Sequence, residues 1–164
     1  MIMKVMMSML CYFGDDVRRI NHALKVYGFA KAIAGAENLT AQQCEVVETA
    51  ALLHDIGIKN AEQKYQSSAG NYQELEGPPV AREILLALGM DEAFIERVCF
   101  LVGHHHSYGK IDGLDFRILV ESDFLVNCFE DGMTSKQVEV IKEKYFVTET
   151  GKKLICSMYA VENN

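Results

Sequence analysis

Ala50-Ala51-Leu52-Leu53-His54-Asp55-Ile56-Gly57 is an apolar run that ends in an imidazole beside a carboxylate. Val47, Ala50 and His54 follow the three-then-four spacing of one helix face, so the run reads as the last turns of a buried helix with His54 turned inward. Gly57 is the residue type that closes a helix in the left-handed conformation, which predicts the helix end just past Asp55. Successive helix positions diverge by roughly 100°, so Asp55 leaves the axis in another direction. In a frayed last turn both side chains can still converge on one cation, the partner a buried carboxylate requires.

Working outward, Thr40-Ala41-Gln42-Gln43 has the form of a capping box opening this helix, and Gly35 and Asn38 mark the loop before it. Upstream, Gly14-Asp15-Asp16 offers carboxylates to cap a helix from about Val17 to Ala34. Its second apolar stripe carries His22, Val26, Phe29 and Ile33, so His22 faces inward and needs a polar partner. The Met-rich Met1 to Phe13 stretch reads as a packing helix; it is shorter than the ~20 residues that span a bilayer and lacks a signal-peptide pattern.

Downstream, Lys59 to Gly77 has the composition of a surface loop, with Lys59, Glu74 and Glu76 as the residues able to act at the rim of a site. Pro78-Pro79 suits a helix start. Asp91 caps a helix in which Phe94, Val98, Leu101 and His105 share a stripe, making His105 the inward member of His104-His105-His106. His104 is then the second contributor, and His106 is left at the rim to contact substrate. Leu119, Asp123 and Val126 share a face farther on, a costly place for a carboxylate without a cation or donors. The remainder reads as packing helices joined by Thr148 to Gly151, with an end that frays from Val161 to Asn164.

Length and composition bound these readings. A chain of 164 residues, 49% hydrophobic and with two prolines, predicts a single, mostly helical domain spanning 1–164. A net charge of -7 without a Lys/Arg cluster argues against duplex nucleic acid, while a small phosphorylated substrate needs only a local cation. Five scattered cysteines without a Cys-x-x-Cys pair read as buried thiols in a reducing cytoplasm.

Taken singly, each inward histidine or aspartate is a satisfied core group. Their order is more specific: His22, then His54-Asp55, then a histidine cluster, then Asp123. In this order, and most of all in Leu52-Leu53-His54-Asp55-Ile56-Gly57, the sequence resembles the HD-domain superfamily of metal-dependent phosphohydrolases over roughly residues 17–130. The resemblance implies an all-α bundle, with the N-terminal and C-terminal helices packed on its core, binding one or two divalent metal ions. His22, His54, Asp55 and Asp123 match the family's metal ligands, and His104-His105 match the extra histidines of members with two metals.

Imidazole and carboxylate together suit Fe, Mn, Ni or Zn without choosing among them. The implied activity is hydrolysis of the phosphoester of a small, nucleotide-like substrate by metal-activated water, with Asp55 bridging two ions and Lys59 neutralising developing charge. The alternative is an HD-like regulatory module that binds metal or nucleotide without turnover. Three departures stand out. Ile58 occupies a position where nucleotidase-like members carry Glu. Where two-metal members place a histidine before the next helix, this chain offers Gln73, Glu74 and Glu76: either Glu74 or Glu76 ligates in its stead, Glu76 being the candidate second-site ligand, or the second site is lost. Ser107-Tyr108-Gly109 lacks the Gly-Tyr-Pro signature of the cyclic-dinucleotide branch. Oligomeric state is not legible.

Overall fold

The computed structural model describes Met1–Val161; Glu162 to Asn164, most of the end expected to fray, lie outside the described residues. The described chain runs through α1 (Ile2–Phe13), α2 (Val17–Ala36), α3 (Ala41–Leu53), α4 (Ile58–Tyr65), α5 (Gly70–Ala87), α6 (Glu92–Val102), a 3-10 turn (Tyr108–Lys110), α7 (Leu114–Glu130), α8 (Ser135–Tyr145) and α9 (Glu149–Tyr159). It is all-α, as the periodicity predicts.

The helix starts are set by local chemistry. Asp16 accepts a hydrogen bond from the Arg19 amide, Asp91 from the Phe94 amide, and Thr148 from the Gly151 amide. Thr40 and Gln43 form the expected reciprocal capping box, and Thr134 and Gln137 repeat it at α8. These side chains satisfy amide donors that the first helical turn leaves unpaired.

At the centre α2, α3 and α7 pack on one another, with α6 against α3. Ile33, Leu52, Leu53, Leu101, Leu119 and Leu125 are fully buried there. Helix α1 lays Val5, Met9 and Phe13, one residue per turn, onto α2 and α3, while α8 and α9 close over α7. The buried carboxylate of Glu121 in α7 ties down the α8–α9 connection by accepting from the Val147 and Thr148 amides and the Thr148 hydroxyl. The same hydrophobic core thus extends from α1 to α9.

Two local readings change. The stretch from Lys59 to Gly77 is largely helical, and Pro78 and Pro79 lie inside α5 instead of opening it. The buried face of α5 is Gln73, Glu76, Gly77, Ala81 and Leu85, a helical spacing written mostly in polar and small residues, so apolar periodicity misses it. Gly57 is also not a left-handed cap: it has φ -75° and ψ -16°. Its role is close approach, because a Cβ there would lie 2.5 Å from both the Gln73 carbonyl oxygen and the Gly77 amide nitrogen of α5. The chain consequently passes from α3 through tight turns straight into α4, with the Ile56 amide bonded to the Leu53 carbonyl and the Ile58 amide to the Asp55 carbonyl.

Of the cysteines, Cys99 and Cys128 are buried, Cys44 and Cys156 partly so, and Cys11 is exposed on α1. No helix among the described residues is long and apolar enough to cross a membrane.

Candidate metal centre

The central helices bring the sequence-predicted ligands to one place. His22 from α2, His54 at the end of α3 and Asp123 from α7 form one group of potential ligands, their atoms within 4.8 Å of one another. His22 Nε2 lies 3.1 Å from His54 Nε2 and 3.2 Å from Asp123 Oδ1. Asp55, His105 and His106 form a second group. Asp55 joins the two: its Oδ2 is 3.5 Å from both His22 Nε2 and His54 Nε2, and its Oδ1 is 3.4 Å from His105 Nε2.

Each ring is held from behind. His54 Nδ1 donates to the Ala51 carbonyl and His105 Nδ1 to the Val102 carbonyl, both at 2.8 Å. A carbonyl only accepts, so Nδ1 carries the proton and the neutral ring presents its lone pair at Nε2, toward the cluster. His22 Nδ1 faces Glu130 Oε2 at 2.9 Å, and Lys25 holds Glu130 from the other side at 2.6 Å. His106 is fixed by a relay. The Gln73 amide nitrogen donates to the Ser68 carbonyl, which leaves Gln73 Oε1 to accept from His106 Nε2 at 3.1 Å. The neutral His106 ring therefore keeps its lone pair at Nδ1. Gly70 makes room for this ring, since a Cβ there would lie 2.6 Å from His106 Cδ2.

The cluster demands positive charge. Burial alone would push the His54 imidazole down, yet Asp55 and Asp123 outweigh it and raise it to about 9. Burial likewise opposes protonation of His22, and Asp123 and Asp55 overcome it. Burial would raise both aspartates, but the imidazoles facing them hold Asp55 and Asp123 below the usual carboxylate range. His106 differs: burial and neighbouring His105 lower it to about 4, so it is neutral at physiological pH. Buried His105 Nε2 has no hydrogen-bond partner among the described residues. Imidazole Nε2 atoms that present lone pairs once a cation displaces their protons, together with two ionised carboxylates, are a donor set that fits a divalent cation.

Other expected site residues lie elsewhere. His104 belongs to neither ligand group; its Nδ1 donates to the Phe100 carbonyl at 2.8 Å and its ring packs on Phe100. His106 takes the position expected of His104, because α6 ends at Val102 and the turns after Gly103 break the helical angle between adjacent residues. Lys59 points away, donating to the Tyr12 carbonyl at 3.0 Å over the Tyr12 ring. Glu76 is neutralised by Lys64 at 2.5 Å and accepts from the Tyr65 hydroxyl. Glu74 accepts from the His106 amide and the Ser107 hydroxyl, so it shapes the histidine turn.

A cavity of about 390 Å³ opens onto His22 and Asp55, and its cationic residues are Arg18 and Arg19. Glu130 and this arginine pair are residues that motif reading missed. Glu130 was findable, because it stands seven residues after Asp123 on the same face of α7.

Comparison with known proteins agrees with this geometry. No curated protein matches the chain. Among solved structures it is similar to the crystal structure of a predicted HD superfamily hydrolase from an uncultured Thermotogales bacterium. The TM-score is 0.70 and the identity 24%, covering 95% of this chain and 83% of that one, a likeness that shows the fold. The HD domain family matches residues 19–143, a span that contains every ligand candidate from His22 to Asp123. With three quarters of its length matched, the chain belongs to the HD-domain family.

Proposed function

We propose that this chain is a metal-dependent phosphohydrolase that cleaves the phosphoester of a small, nucleotide-like substrate. The observation that carries the proposal is the convergence of the His22, His54 and His105 Nε2 atoms on Asp55 and Asp123 while each ring is tied through Nδ1. His22, His54 and Asp123 would hold one ion, and Asp55, His105 and His106 a second, with Asp55 offering one oxygen to each group. A divalent ion in such a site supplies Lewis acidity toward a phosphoryl oxygen and lowers the pKa of its water.

The chain's own residues contribute orientation and proton control. The Ala51 and Val102 carbonyls and the Glu130 carboxylate keep three imidazoles in one tautomer, so no ring must turn before a ligand is received. Glu130 accepts from His22 Nδ1, and Lys25 keeps Glu130 ionised and in place. Gln73 holds the proton of His106 at Nε2, leaving Nδ1 to face inward. Ile58 forms an apolar part of the cavity wall beside Asp55, and Ser68 and Asn127 offer hydrogen bonds to a bound substrate.

The test is phosphate release from nucleotides, dinucleotides and sugar phosphates, with added Mn or Fe and with chelator. Release that requires metal is the expected result. Metal-dependent binding of these compounds without release would instead assign the regulatory-module reading.

A further inference from the structure

The geometry points to Arg18 as the residue that selects a single phosphate group, and to a substrate that is a phosphomonoester with an uncharged, polar leaving group. This inference rests on the phosphohydrolase reading for its location. The charge balance of the cavity wall singles out Arg18. Arg19 is neutralised by Asp16 at 2.6 Å and Glu62 at 2.5 Å, and Glu130 by Lys25 and His22. Apart from the ligand groups, that leaves Arg18 and Asp131 as charged side chains lining the cavity without an ion pair or side-chain hydrogen bond among the described residues.

Arg18 lies one helical turn before His22 on α2, a spacing that separates Cβ atoms by roughly 5–6 Å. Arg18, exposed on α2, lines the cavity onto which His22 and Asp55 open, so its guanidinium is within reach of a ligand bound there. A planar fork with several N–H donors suits two oxygens of one phosphate. One free cation serves one anionic group, and Asp131, at the end of α7, opposes a second phosphate. Asn127 and Ser68 complete the wall with uncharged groups suited to hydroxyls. The cavity volume of about 390 Å³ falls at the small end of ligand sites, which run from roughly 300 to 1,000 Å³.

The experiment uses the Mn-loaded protein and three variants, Arg18→Ala, Arg18→Lys and Asp131→Asn. Inorganic phosphate is titrated by calorimetry, adenosine mono- and diphosphate are compared as ligands or substrates, and Mn content is measured throughout. Arg18→Ala is expected to weaken phosphate binding about 10- to 100-fold, the loss of a charge-assisted pair, raising KM more than it lowers kcat. Arg18→Lys should recover part of the loss, and Mn content should stay unchanged. Asp131→Asn should improve the diphosphate relative to the monophosphate by roughly 2- to 5-fold, the size of one exposed charge interaction.

Wild-type protein that binds no phosphate, an Arg18→Ala variant that binds it normally, or a loss explained by lower Mn content would each overturn the inference. So would an unchanged mono-to-diphosphate preference in Asp131→Asn. Phosphate binding that depends on Arg18, without release from any ester, would retire the hydrolase reading and the leaving-group assignment with it, and leave Arg18 as the residue that binds a single phosphate.

Discussion

Replacing Gly57 by alanine should damage both the fold and half of the metal site, because this position sets the distance between the His54-Asp55 turn and α5. The added Cβ would lie 2.5 Å from the Gln73 carbonyl oxygen, 2.5 Å from the Gly77 amide nitrogen and 2.9 Å from Gly77 Cα. Non-bonded carbon contacts are comfortable at roughly 3.5–4.0 Å, so α5 must retreat by about 1 Å. All three obstructing atoms are backbone, which leaves no side chain to rotate away, and the cost belongs at the upper end of overpacking, about 3 kcal/mol. For a domain of this size that lowers Tm by about 6–12 °C. The retreat also carries Gln73 away from His106, so Mn affinity of the second ligand group should fall. Scanning calorimetry of metal-free protein isolates the packing cost, and a Mn titration reads the site. Gly28→Ala is the control: nothing lies within 4 Å of its added Cβ, it is exposed in mid-helix, and it should stabilise by roughly 0.5–1 kcal/mol. A Gly57→Ala protein that melts and binds Mn like the wild type would refute the close-approach argument.

Gly70→Ala should act locally, pushing the His106 ring and weakening a second ion while the His22 group keeps the first; equal loss of both ions in a Mn titration would contradict this. Glu130→Gln removes the carboxylate behind His22 and should cost about 10- to 100-fold in metal affinity with little change in fold, as read by competition with a chelator and by circular dichroism. In the metal-free protein, His54 has a folded pKa of about 9 against an unfolded value near 6.5. That raised value contributes roughly 3 kcal/mol of stability, fully present below the unfolded pKa and lost as pH rises toward 9. Metal-free Tm should therefore fall between about pH 6.5 and 9 in wild-type protein and change less in His54→Ala. The same proton competes with metal, so apparent affinity should rise over that window, and a flat profile would count against the protonated apo site.

The residues that could be read from sequence were those whose role follows from helical phase. His22 and Asp123 lie on apolar stripes inside α2 and α7, and His54 caps α3, so helical phase turns them inward; His105 is buried as expected although it lies three residues past the end of α6. The capping boxes at Thr40 and the Asp91 cap were equally legible, because they depend on residues three apart. What escaped depends on contacts between distant segments. Gly57 is needed for a neighbour 16 to 20 residues away, not for a left-handed turn. Helix α5 buries Gln73, Glu76 and Gly77, so its inner face does not look apolar. His104 and His106 exchanged places because phase stops carrying information where the helix stops, at Val102. Lys59 is the nearest cation in sequence to the doublet, but α4 turns it onto Tyr12, and the cations facing the cavity come from α2 instead.

Metal analysis of protein purified without a histidine tag asks whether these side chains hold an ion. After exposure to Mn or Fe and removal of free metal, the wild type should retain one or two ions per chain, matching its two ligand groups. His54→Ala, which removes a fully buried ligand from the shared centre, should retain none from the His22 group. A wild-type protein that emerges metal-free, or a His54→Ala variant with the wild-type metal content, would show that these side chains do not form a metal site.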